Sequence, residues 1–170
     1  MKQRFIQIYS ANADSVFRYC FIRVSDRNVA TDLTQDIFMR YWDNLAKGTD
    51  IANDRAFLFT VARNIIIDWY RKKKSVSLEG LQEENDDIEV FVPIEDNAKG
   101  ALEMQTESRF LLDKIRSLPP TSQQILYLRY IEDLKPKEIA EILDIKENTV
   151  SVRIHRALEE LRKMTGYELT

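Results

Sequence analysis

The sequence predicts an all-α protein: two small helical domains joined by an acidic linker, the second a four-helix domain that closes on a helix-turn-helix. Three observations predict it. Apolar residues recur at helical spacing through residues 1–74 and again from about 102 onward. Between 75 and 101 that period disappears and acid accumulates. Finally, Pro136 to Met164 reads as two amphipathic helices separated by Asp144-Ile145-Lys146, a break too short for anything except a tight turn.

Along the first domain, Phe5, Ile8 and Tyr9, then Val16, Phe17, Cys20, Phe21 and Val24, hold a helical period up to Ser25-Asp26, with Asn12 an open question within it. From Asn28 to Ala46, Val29, Leu33, Ile37, Tyr41, Trp42 and Leu45 form a broad apolar arc. Its reverse side gathers Asp32, Gln35, Asp36, Met39 and Asp43, an acidic face that is either solvated or meets a basic protein partner. Gly48 suits a helix C-cap. The next helix opens at Asn53 or Asp54 and runs to about Lys74, burying Phe57, Leu58, Val61, Ala62, Ile65, Ile66 and Trp69. Thr60, Arg63, Asn64, Ile67, Asp68, Arg71 and Lys74 occupy the remaining strip, and Trp69 and Tyr70 border it. Cations at a helix C-terminus are favoured by the macrodipole alone. A basic ridge beside aromatics also suits phosphate contact and stacking on unpaired bases.

Residues 75–101 carry Glu79, Glu83, Glu84, Asp86, Asp87, Glu89, Glu95 and Asp96 against the single base Lys99, so they read as a linker, with a short extended piece possible at Ile88 to Ile94. Helix resumes near Leu102 and is stopped by Pro119-Pro120. Thr121 and Gln124 have the spacing of a capping box, and Ile125, Leu128 and Ile131 are expected to point inward. In the last helix Val150, Ile154, Ala157, Leu158 and Leu161 make the apolar stripe. Opposite it lie Asn148, Val152, His155, Arg156, Glu159 and Lys163, flanked by Thr149 and Arg153. Asn can read adenine, Arg can read guanine or hold phosphate, and an exposed Val can touch a thymine methyl.

Composition narrows the function classes. A net charge of −3 confines any DNA contact to local basic patches. One cysteine, Cys20, and one histidine, His155, exclude an intramolecular disulfide and a Cys/His zinc cluster, and Cys20 among apolar neighbours reads as a buried small hydrophobe. Asp32 and Asp36 lie one helical turn apart but have no histidine, Gly-rich phosphate loop or metal cluster with them, so hydrolase or transferase chemistry is disfavoured and no cofactor is expected. Nothing reads as a bilayer span or a signal-peptide core, which makes cytoplasmic residence the expectation.

Taken together, DLTQDIFMRYW (Asp32 to Trp42), AFLFTVARNIIIDWYRKKK (Ala56 to Lys74) and Leu118 to Lys163 resemble the sigma-70 family of RNA polymerase sigma factors, specifically the small two-domain extracytoplasmic-function (ECF) group. The pairing of Asn64-xxx-Asp68-xx-Arg71 with a carboxy-terminal helix-turn-helix carries most of the likeness. The resemblance implies domains at 1–74 and 102–170 around the 75–101 linker. It implies that Asp32, Gln35, Asp36, Met39 and Trp42 dock on core RNA polymerase. Arg63, Asn64, Asp68, Tyr70, Arg71, Lys72 and Lys73 would bind and melt minus-10 DNA, with the loop Lys47 to Asp54 capturing a flipped base. Asn148, Thr149, Ser151, Val152, Arg153, His155 and Arg156 would read the minus-35 duplex, and the linker would thread toward the polymerase active centre. An anti-sigma factor is implied as a further partner, and a free-standing helix-turn-helix regulator is the alternative. Where the family commonly has Gly and Ser in the turn, this chain has Asp144 and Lys146, so Asp144 or Asn148 is expected to supply the cap. Where the family often has a basic or hydroxyl pair, Ser151 and Val152 stand. Val152→Ser is therefore expected to change the minus-35 sequence preference through loss of methyl contact. Selection of binding sites from randomised DNA measures this, and an unchanged preference would contradict it.

Overall fold

A computed structural model describes residues 1–77 and 106–166, and every regular element among them is helical. Three helices, α1 (Lys2–Val24), α2 (Arg27–Ala46) and α3 (Asp54–Ser77), pack on one another as the amino-terminal unit. Four more, α4 (Thr106–Arg116), α5 (Pro120–Leu126), α6 (Pro136–Leu143) and α7 (Glu147–Thr165), form the carboxy-terminal unit. The acidic linker and the start of its following helix near Leu102 lie outside the described residues.

Helix α1 is continuous through Asn12. Its side chain is buried and donates to the Ile8 carbonyl one turn back at 2.9 Å, so the polar group is satisfied without breaking the helix. Asp26 caps α2 by accepting from the Val29 amide at 3.0 Å. Gly48 follows the end of α2 at φ 71, the left-handed conformation that ends helices and that glycine adopts freely. Asn53 is the N-cap of α3, its Oδ1 accepting from the Ala56 amide at 2.9 Å. Asp54 has other work. Its carboxylate takes the Arg4 guanidinium at 2.6 and 3.2 Å and the Tyr41 hydroxyl at 2.9 Å, fastening the start of α3 to α1 and α2.

The apolar arcs predicted for α2 and α7 are the buried ones, with Val150, Ala157 and Leu161 fully enclosed. On α3 the burial is wider than the sequence implies. Phe59 and Ile67 are buried as well, although Ile67 belongs to the strip expected to face outward. The Phe59 ring meets Tyr19 of α1 edge-on at 5.2 Å, Tyr19 in turn lies 5.8 Å from Tyr127 of the carboxy-terminal unit, and α6 packs on α3.

One expected cap is corrected here. Pro119 and not Thr121 stands at the N-cap of α5, with Pro120 in the first turn, where its fixed φ and missing N–H cost nothing. Thr121 thus falls inside the helix, and Gln124 is buried. Glu138 makes the reciprocal half of a capping box on α6, its carboxylate accepting from the Lys135 amide at 2.8 Å. Its pKa is lowered: burial opposes this, but hydrogen bonds from Asn53 and from the Lys135 amide prevail. After α5 the chain widens into a π-helical turn, Tyr127–Ile131. This turn places Glu132 inside, with Ile131 left half-buried.

Burial pushes the Cys20 thiol from 9.0 up to about 12, and burial together with the bond to Asp54 pushes the Tyr41 hydroxyl from 10.0 to about 12. Both groups are held neutral, so their contribution is complete below those ordinary values and is lost as pH rises toward about 12. Alkaline unfolding followed by circular dichroism is expected to begin above about pH 9, and Cys20→Ala to delay its onset. An onset unaffected by Cys20→Ala would show that the thiol does not contribute.

Candidate nucleic-acid and polymerase interfaces

Three faces of the fold are exposed and chemically distinct. The first is on α2, where Asp32, Gln35, Asp36 and Met39 all point to solvent, Met39 at 64% exposure. Trp42 differs from the others in being half-buried, standing edge-on to Phe5 at 5.1 Å. It supports the rim of the face from beneath.

On α3 the expected minus-10 residues divide. At 100° per residue, Asn64, Asp68 and Arg71 fall on one strip with Lys72 beside it, and all four are exposed. Arg63 and Tyr70 lie half-buried on the flank toward the core, and the Tyr70 hydroxyl donates to the Arg23 carbonyl at the end of α1. Lys73 lies on the side of α3 away from that strip, its ammonium 5.0 Å from the centre of the Trp69 ring, which itself meets Tyr70 edge-on. The structure thus brings Asn64, Asp68, Arg71 and Lys72 together. The Tyr70 hydroxyl is engaged at the α1–α3 junction.

The third face is on α7. Asn148, Ser151, Val152, His155 and Arg156 are exposed, with Thr149 and Arg153 half-buried at its edges. Val152 has 48% exposure, opposite the enclosed Val150, Ala157 and Leu161. His155 sits 3.4 Å from Glu159 one turn on. The helix is steadied from behind by Ser122, whose hydroxyl donates to Glu160 at 2.6 Å. In the turn before α7, neither Asp144 nor Asn148 supplies the expected cap: Lys146 occupies the N-cap with no side-chain hydrogen bond. Asp144 instead takes the glycine-like role at the end of α6, with φ 53. That left-handed residue lets the Ile145 amide reach the Ala140 carbonyl at 3.1 Å and turns Ile145 onto the core, the Schellman closure.

The family models described as sigma-70 region 2 and sigma-70 region 4 match residues 8–76 and 111–161, in that order. Over 94% of its length the chain is 32% identical to the ECF RNA polymerase sigma factor SigW of Bacillus subtilis, of which it covers 87%. The chain belongs to the ECF RNA polymerase sigma factors. A second B. subtilis member, SigM, is 30% identical over 93% of both chains. Two solved structures share the sigma fold: RpoE in complex with the anti-sigma factor NepR from Bartonella quintana (20% identical, 98% of this chain and 99% of that one, TM-score 0.65), and CnrH in complex with the cytosolic domain of CnrY (20% identical, 96% and 88%, TM-score 0.60). A match to both halves disfavours the free-standing regulator.

Sequence reasoning missed the residues that join the two halves of this sigma chain: Arg18, Arg55 and Asn53 on one side, Glu132 and Glu138 on the other. Each is an ordinary polar residue in its local context, and no periodicity marks it.

An Asp in the left-handed region costs roughly 1 kcal/mol, which Gly avoids while adding unfolded-state freedom. Asp144→Gly is expected to raise the thermal midpoint by about 1–3 °C. A lower midpoint would mean that the Asp144 side chain itself stabilises the turn.

Proposed function

We propose that this sigma chain docks on core RNA polymerase through the outer face of α2, with Asp32, Gln35, Asp36 and Met39 in contact and Trp42 beneath them. It then directs the polymerase to promoters. Helix α7 enters the major groove of the minus-35 duplex with Asn148, Ser151, Val152, His155 and Arg156 toward base edges. Thr149 and Arg153 stand at the groove walls, where phosphates lie. On α3, the strip of Asn64, Asp68, Arg71 and Lys72, with Arg63 at its flank, holds minus-10 DNA after strand separation. Unpairing costs a few kcal/mol per base, so groups that bind unpaired bases shift the duplex toward the open state. The action is binding throughout, without covalent chemistry or a cofactor.

The observation that carries this reading is the set of three solvent-facing surfaces, one acidic with a bare methionine and two basic or polar, on a chain whose net charge is −3. A protein with overall negative charge gains little from diffuse attraction to DNA, so its contacts must be local, and polymerase must supply the remaining affinity. The domain roles follow the same division: residues 1–74 for polymerase and minus-10 DNA, residues 102–170 for minus-35 DNA. Work on the chromosome places the protein in the cytoplasm, and among the described residues no helix is long and apolar enough to cross a membrane. We include an anti-sigma factor among its partners, since RpoE, of similar fold, is held by one.

Retention on immobilised core RNA polymerase tests the first step. The unaltered chain is expected to bind, and Asp32→Lys with Asp36→Lys, both exposed and so without cost to the fold, to bind about tenfold more weakly. No retention of the unaltered chain would return the protein to the class of free-standing regulators.

A further inference from the structure

A carboxylate stands in the middle of the face that α7 turns outward. Glu159 is exposed, and at 100° per residue it falls about 20° from Asn148 on one side and from Val152 on the other. DNA phosphates repel an acid placed there. Glu159 is not alone, however: His155, one turn back, brings Nε2 to 3.4 Å from Glu159 Oε1. That separation is an ion pair when the ring is protonated and is too long for a tight hydrogen bond. The two side chains keep 76% and 52% exposure, so both are open to a duplex laid on this face. As a solvated pair they add little to the helix.

His155 is the only histidine of the chain, and an imidazole, with an ordinary pKa of about 6.5, is the side chain whose charge changes near neutrality. Helices α4, α5 and α6 pack on the opposite, buried stripe of α7, and among the described residues none of their charged groups pairs with the ring. What faces it is Glu159, with Arg156 and Lys163 farther round the same exposed face.

Protonation decides what the second ring nitrogen can do while the first faces Glu159. A neutral ring that gives its one N–H to Glu159 is left with an acceptor, which suits the amino group of adenine or cytosine. An imidazolium donates from both nitrogens, so one N–H holds Glu159 while the other reaches O6 or N7 of guanine. Charge acts in the same direction. Beside a neutral ring Glu159 brings an uncompensated negative charge to the DNA, whereas the protonated pair is neutral overall, so binding favours uptake of the proton.

We propose that His155 is a specificity-determining residue that reads a guanine of the minus-35 element as an imidazolium, and that Glu159 is the positioning residue that holds its other N–H. This rests on the minus-35 role of α7 proposed above. The guanine preference is complete below about pH 6.5 and falls as pH rises, by up to about tenfold per pH unit for one linked proton.

The test uses holoenzyme assembled from core RNA polymerase and the full chain, with a minus-35 sequence that it selects from randomised DNA. Relative affinities for the four bases at each minus-35 position are measured by competition between about pH 6 and 8. At one position guanine is expected to be favoured severalfold at the acid end and to lose that advantage at the alkaline end. His155→Arg, a cation throughout this range, is expected to make the guanine preference independent of pH. Glu159→Gln, which still accepts a hydrogen bond but carries no charge, is expected to move the midpoint of the profile to lower pH with guanine still preferred. A base preference that does not change with pH in the unaltered chain, or a pH profile that survives His155→Arg, overturns the reading of guanine by His155. A midpoint unmoved in Glu159→Gln overturns the positioning role. Holoenzyme that selects no minus-35 motif at all overturns the sigma reading instead.

Discussion

The enclosure of Glu132 is the constraint on which the arrangement of the whole chain depends. Removing a carboxylate from water costs several kcal/mol unless its charge and lone pairs are met, and here they are met from three elements at once. Tyr127 supplies a hydroxyl from within the same unit, while Arg18 and Arg55 arrive from α1 and α3. The π-helical turn Tyr127–Ile131 makes this possible, since a regular helix would put Ile131 where Glu132 now points inward. The same proximity explains the aromatic filling of the joint. Burial, and then the adjoining Glu132 charge, push the Tyr127 hydroxyl well above its ordinary range and keep it a donor.

With the apolar arcs committed to one core that runs through both units, what remains outside is the functional surface. The acid on α2, the polar strip on α3 and the mixed face of α7 are outward because each is the reverse of a buried stripe. Fold and function therefore share one pattern of amphipathic helices. The placement of charge also sorts the partners: carboxylates with a bare methionine suit a basic protein, and arginines with amides and a valine suit DNA.

Much of this was legible in the sequence, because helical period and capping are local. The all-helical class, the enclosed stripe of α7, the exposure of Val152 and the acidic face of α2 all follow from residues within a few turns of one another. The misses are of another kind. Phe59 and Glu132 were singled out by nothing in the sequence, because the rings and charges that meet them come from other helices: Tyr19 for Phe59, Arg18 and Arg55 for Glu132. Thr121 and Gln124 had the spacing of a capping box, but Pro120 starts the helix one residue too early for Thr121 to cap it. Asp144 was placed as a cap for α7 when its backbone, at φ 53, was needed to end α6. The bond from the Tyr70 hydroxyl to the Arg23 carbonyl was likewise not foreseen. Long-range pairing and competition for one side chain are what single-sequence reasoning does not contain.

The most direct measurement of promoter selection is sequencing of transcript 5′ ends made in vitro by core polymerase on genomic DNA, with and without this chain. The account predicts discrete start sites that appear only when the chain is added, preceded by two shared motifs separated by a fixed spacing. Start sites unchanged by the chain, or new ones lacking the paired motifs, would contradict it.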